Sequence, residues 1–261
     1  MTHMVYLPFN YAALCRWSGR RRMMRKGVFD DGLALHVLLS GVFGKGVLQP
    51  FRVFRPARAE EATLYAYSEL EAAALREMSE VAAPPDCLEI LDVVGLRVKP
   101  MPARWAARQR LGFDIRVRPV RRLARDLPDP QSAKVISKGS EIDAFRYELL
   151  RRAPDGWEER DVGSTTGVSR GEAYAGWLAE RLTGAAKVDL GSCRLASFRR
   201  NRVIRGDGRG PEGPDSVLHG ECVVEDPGAF AATLAKGVGR HRAYGYGMLI
   251  VRPPGTAPLS R

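Results

Sequence analysis

DPGAFAATLAKGVGRHRAYGYGMLIVRP, residues 226–253, reads as a helix, then a glycine-rich loop, then a strand. Pro227 suits the first turn of a helix, and the apolar MLIV run suits a strand. Between them, Gly237, Gly239, Gly245 and Gly247 lack the spacing of a dinucleotide-binding turn. They also follow a helix and enter a strand, the reverse of that motif's order. Two readings remain for the loop. Its backbone can approach a phosphate chain closely, with Lys236, Arg240, His241 and Arg242 supplying charge, or it is a tight turn with solvated bases.

Working backwards, CRLASFRRNRVIR (193–205) and SVLHGECVVE (216–225) are strands flanking DGRGPEGP, a hairpin tip. SRGEAYAGWLAERLTG (169–184) is a helix, with Ser169 and Glu172 as a capping box and Gly184 as its stop. FDIRVRPV (113–120) alternates with period two. The order is β-α-β-β-α-β. The first half repeats it: MVYLPF (4–9) as strand, FDDGLALHVLLSGVF (29–43) as helix, FRVF (51–54) and TLYAY (63–67) as strands. SELEAAALREMS (68–79) follows as a helix capped by Ser68 and Glu71, then CLEILDVV (87–94) as a strand. The expected class is α+β, two tandem ferredoxin-like (RRM-like) βαββαβ units. The expected domains are 1–110 and 111–261, the second carrying an insertion at 126–168 with a helix over 138–152, and the glycine-rich loop at 237–247.

The chain has 261 residues, enough for two buried cores. No apolar run approaches the ~18 residues of a membrane span. MTHMVYLPFNYAAL does not read as a signal peptide, so the cytoplasm is the expected location, without a membrane. Cys15, Cys87, Cys193 and Cys222 are far apart, which fits reduced, structural thiols. The net charge of +11 points to a polyanion partner, and the arginines cluster at 19–26, 104–110, 116–125 and 198–209, whereas 59–92 is acidic. GVFGKGV (41–47) lacks the Ser or Thr of a phosphate-binding loop, and HExxH and GxSxG motifs are missing. No metal or cofactor is expected.

The arginine ribbon, with Arg199, Arg200, Arg202 and Arg205, could lie along a duplex, or be a charged edge strand. Arg20, Arg21, Arg22, Arg25, Arg121 and Arg122 are further candidate contacts. His36 falls at the border of its helix's apolar arc, sheltered but reachable, and suits proton transfer near neutral pH.

DDGLALH (30–36), RGEAYAGWLAERL (170–182), RLASFRRNRVIR (194–205) and the stretch from His219 to Pro253, in this order, resemble the CasE branch of the CRISPR repeat-processing endoribonucleases. The departures from the common pattern, including the N-terminal arginine block and the insertion, also fit a divergent or type IV system. The resemblance implies cleavage of a repeat stem-loop without metal, by attack of the ribose 2′-hydroxyl, giving a cyclic phosphate and a 5′-hydroxyl. It implies retention of the product RNA within an effector complex of further subunits. By position, His36 matches the helix-one histidine of acid/base catalysis, and the loop glycines match the family's loop near RNA. Leu33 stands where CasE-type enzymes often carry tyrosine, so the partner of His36 lies elsewhere, with Arg20, Arg21, Arg22, Arg25 and Arg242 as candidates. Two other readings compete: a repeat-binding subunit that does not cut, and a general nucleic-acid binder of RRM type.

Overall fold

The computed structural model describes residues 1–24, 29–153, 155–156, 166–202 and 212–257. The first unit opens with β1 (His3–Asn10), in which His3, Val5, Leu7 and Phe9 are buried at alternate positions. Asn10 ends the strand and caps α1 (Tyr11–Arg20), its side chain accepting from the Ala13 amide at 2.7 Å. This helix lies in a stretch that the sequence reading left unassigned. Its signal is Leu14, Trp17 and Ser18, all buried at helical spacing.

α2 (Asp31–Phe43) is capped by Asp30 and buries Ala34, Leu35, Leu38, Leu39, Val42 and Phe43. β2 (Phe51–Phe54) and β3 (Glu61–Ser68) follow. α3 (Ala72–Ala82) starts later than expected. Glu71 is its N-cap residue without a side-chain bond, and Ser68 sits at the end of β3 with its Oγ accepting from Leu70 N, so the capping box expected there does not form. The strand expected over 87–94 is also replaced. Pro85 begins the short α4 (Pro85–Leu88), Cys87, Ile90 and Leu91 are buried at i, i+3, i+4, and the strand is β4 (Arg97–Pro100). The sheet order β2-β3-β1-β4, all antiparallel, is ferredoxin-like.

The second unit begins at β5 (Arg110–Val117). Two small ribbons then form from β6 (Val120–Arg122) with β9 (Glu141–Asp143), and β7 (Leu127–Asp129) with β8 (Lys134–Ile136). α5 (Ala144–Arg152) is shorter than the helix expected over 138–152, because 141–143 pair with β6 and the Asp143 carboxylate caps Phe145. α6 (Arg170–Leu182) carries the Ser169–Glu172 capping box. β10 (Ala186–Val188), β11 (Arg194–Arg202), β12 (Glu212–Val224), α7 (Pro227–Lys236) and β13 (Leu249–Arg252) complete the chain. The sheet runs β10-β12-β5-β13, and β11 pairs with β12 around a bulge. The protein is therefore α+β, with two tandem ferredoxin-like units.

Each sheet buries its own core, around Leu7, Leu35 and Leu64 in the first unit and around Phe113, Trp177 and Phe230 in the second. Two polar links join the units, and a third contact, within the second unit, braces one of them. Tyr67 Oη donates to the Leu249 carbonyl at 2.8 Å, Arg52 forms a buried ion pair with Asp114, and His219 Nε2 lies 2.9 Å from the second Asp114 oxygen. Among the described residues no helix is long and apolar enough to cross a membrane, and no group of three or more His, Cys, Asp or Glu side chains is placed to hold a metal.

Candidate active site

His36 lies on the half-buried edge of α2, between buried Leu35 and exposed Val37. Its Nδ1 is buried without a hydrogen-bond partner among the described residues. Burial, and secondarily the charge of Lys45, push the imidazole pKa below its ordinary value. This shift favours the neutral ring, the form that can accept a proton.

The other wall comes from the glycine-rich loop of the second unit. Gly237 N–H closes α7 on Thr233 O at 2.8 Å, Val238 N–H reaches Gly247 O at 2.8 Å, and Gly247 N–H reaches Arg116 O on β5 at 2.7 Å. Inside this frame, residues 242–244 make one 3-10 turn whose Tyr244 N–H donates to His241 O at 2.9 Å. The turn rests on α2. A Cβ at Gly32 would come within 2.5 Å of the Tyr244 carbonyl oxygen, so the close approach depends on glycine. The Tyr244 ring centroid stands 5.1 Å from that of His36, with the planes inclined by 55°.

Leu33 and Tyr244, with Lys236, Arg240 and Arg242, help to line a cleft of about 990 Å³. Leu33 sits one turn before His36 on the same helix face. Arg242 is exposed and donates to the Lys236 carbonyl at 2.7 Å. Arg240 Nε lies 2.8 Å from Glu141, and His241 Nε2 faces the same carboxylate at 3.6 Å with only 6% of its side chain exposed. His241 also lines the cleft, but most of its side chain is buried. Its backbone is left-handed, with φ 62°.

The glycines at 237 and 239 have a packing explanation. Both adopt positive φ, and a Cβ would meet Pro50 at 2.9 Å in the first case and Trp177 at 2.9 Å in the second. Their open faces are turned to protein, which is the tight-turn reading of this loop.

A second cleft, about 480 Å³, opens where the arginine ribbon meets the first unit and is lined by Tyr11, Asp31, Arg55, Phe198 and Arg199 among others. Arg55 stacks over the Tyr11 ring at 4.0 Å. Burial first, and then Asp31, push the Tyr11 hydroxyl up to about 12. α2 therefore contributes Asp31 to this cleft and Leu33 to the other.

The remaining candidates divide. Arg200 and Arg202 are exposed on β11, and Arg199 donates to Asp215 at 2.7 Å while 64% of its side chain stays accessible. Burial favours the neutral form of Asp215, but the hydrogen bonds and charges of Arg116 and Arg199 outweigh it and hold the carboxyl at about 2. Arg121 is held by Glu180 at 2.6 and 2.8 Å, and Arg122 by the Gly139 carbonyl at 3.2 Å. Arg20 and Arg22 are exposed at the end of α1, where Arg21 pairs with Asp86 at 3.0 Å and stacks on Trp17. None of these three lines the cleft beside Tyr244. Arg25 and Arg205 lie outside the described residues.

A family model described as "CRISPR associated protein" matches residues 11–253. No curated protein matches the sequence. Among solved structures the chain is similar to the CRISPR endoribonuclease Cse3 bound to 19 nt RNA, at 20% identity and a TM-score of 0.58, covering 97% of this chain and 99% of that one. It is similar to the CRISPR-associated protein Cas6e from Escherichia coli str. K-12, at 17% identity and a TM-score of 0.57, covering 97% and 100%. It also matches a chain of a CRISPR RNA-guided surveillance complex, at 16% identity and a TM-score of 0.52, covering 95% and 98%.

Proposed function

The chain belongs to the CRISPR-associated protein family, and on that premise we propose that it is an endoribonuclease that processes the repeats of CRISPR precursor transcripts. It binds the repeat stem-loop and cuts it without metal by 2′-hydroxyl attack, leaving a cyclic phosphate and a 5′-hydroxyl. It then stays on the product within an effector complex in the cytoplasm. Similarity in fold to a Cse3 chain carrying RNA, and to a chain of a surveillance complex, supports this reading. So does a net charge of +11. We take 1–110 and 111–261 as the two domains, with the ribbon and the loop of the second folded onto the first.

The observation that carries the proposal is the position of His36. Its neutral form is favoured by burial and then by Lys45, and its ring stands 5.1 Å from that of Tyr244, which with Lys236 and Arg242 lines the cleft. A base there can take the proton of a 2′-hydroxyl, and the cations stabilise the charge that develops on the phosphorane. The exposed Arg200 and Arg202 are placed to meet the stem's phosphates, with Arg199 beside them. If ~6 phosphates are neutralised, affinity falls by about three decades between 50 and 200 mM salt.

The test is incubation of the protein with its cognate repeat RNA in EDTA. The expected products end in a cyclic phosphate and a 5′-hydroxyl, and His36→Ala slows cleavage by about a hundredfold or more with hairpin affinity retained. Tight, repeat-specific binding by the wild type with no cleavage establishes the non-cutting subunit instead.

A further inference from the structure

We propose that Tyr244 is the general acid of the cleavage step, donating its phenolic proton to the leaving 5′-oxygen; the inference rests on the endoribonuclease reading above. The cleft offers few transferable protons. Arg240 and Arg242 bear guanidinium groups, which stay protonated. His241 lines the cleft with only 6% of its side chain exposed, and its Nε2 faces Glu141 at 3.6 Å. Leu33, the helix residue nearest His36 along the cleft face, carries no polar atom. Lys236 is exposed at the end of α7 and lines the cleft, where its charge is already assigned to the phosphorane.

Tyr244 differs from all of these in its relation to His36. The two rings lie 5.1 Å apart, a spacing at which both can reach one phosphodiester. Tyr244 is half-buried and lines the cleft, and among the described residues its hydroxyl makes no hydrogen bond. Its backbone is fixed by the bond to His241 O, by Gly245 in the left-handed region, and by the clearance at Gly32. A fixed backbone with an unclaimed hydroxyl is the arrangement that positioned acid catalysis needs.

His36 accepts the proton of the 2′-hydroxyl as the O2′–P bond forms. The P–O5′ bond breaks, and O5′ takes the proton of Tyr244. Solvent and the His36 imidazolium then restore both side chains.

Single-turnover cleavage of two repeat RNAs tests this, one with the natural oxygen and one with sulfur at the scissile 5′ position. A thiolate leaves without protonation, so loss of an acid matters little on the sulfur substrate. Tyr244→Phe keeps the ring, so the fold is retained, and thermal melting together with product affinity checks that it is. The expected result is cleavage about a hundredfold slower on oxygen and within about threefold of wild type on sulfur, whereas His36→Ala is slow on both. Tyr244→Phe near wild type on oxygen, or equally slow on both, overturns the assignment. If the wild type leaves both RNAs intact, the endoribonuclease reading itself falls.

Discussion

Gly32→Ala separates the apposition of the two domains from the side chains that face each other across it. Gly32 lies in the first turn of α2, where a new Cβ would stand 2.5 Å from the Tyr244 carbonyl oxygen. Ordinary carbon–oxygen contacts begin near 3.3 Å, so the turn at 242–244 must retreat by roughly 0.8 Å. A displacement of that size at a reacting centre costs on the order of a hundredfold in rate. Stability moves little: alanine favours the helix by about 0.5–1 kcal/mol, and forced repacking offsets this by about 1–3 kcal/mol. The net expectation is a loss of about 1 kcal/mol with cleavage reduced tenfold to a hundredfold. Gly41→Ala in the same helix is the control, since nothing lies within 4 Å of its Cβ direction. It should gain up to about 1 kcal/mol and cleave normally. Urea unfolding and single-turnover cleavage measure both variants. If Gly32→Ala is stabilised like Gly41→Ala and cuts at the wild-type rate, the close seating of the loop on α2 has no part in catalysis.

Two further predictions concern charge. A base acts when neutral, so the rate rises as pH climbs through the His36 pKa. Burial and then Lys45 lower that pKa, placing the acidic limb of the pH–rate profile below the ordinary imidazole value of about 6.5. Lys45→Gln should move the limb to higher pH, and a limb that stays in place contradicts the electrostatic account. Replacing Arg200 and Arg202 together by alanine should lower the slope of log affinity against log salt by about two while leaving the rate at saturating RNA intact. An unchanged slope in filter-binding or fluorescence titrations means that the ribbon does not meet phosphates.

Local pattern carried much of this protein. α2, α6 and α7 are legible because apolar spacing, caps and stops agree over ten or more residues, as at Ser169 and Glu172. The segment at 87–94 misled because a short apolar run does not declare its period, and only Pro85 hints at a helical turn. The expected cap at Ser68 failed for a related reason. β3 extends through that residue, and the sheet's pairing with β1 outweighs a local capping preference. The proposed site was legible on one side only. His36 stands out from its place on the helix, whereas Tyr244 meets it across more than two hundred residues, a relation no local window contains. Likewise, the sequence does not show that most of the His241 side chain is buried, with its Nε2 3.6 Å from Glu141.

A site divided between two domains has to keep its halves in register, and the seam shows how. Tyr67 bonds the carbonyl of Leu249, two residues beyond Gly247, so the strand that receives the loop is tied to the first sheet. Arg116 accepts the Gly247 amide at its backbone while its side chain grips Asp215, which binds the loop's exit to β12. Between them lies the buried pair of Arg52 and Asp114, with His219 on the second carboxylate oxygen. Desolvation makes such a pair a poor source of net stability, but removing one partner typically costs about 3–5 kcal/mol. Sliding one domain past the other would separate the same charges, so the pair opposes displacement more strongly than apolar packing would. The seam's polar chemistry therefore suits the proposed site, where a shift of under an ångström would part His36 from Tyr244.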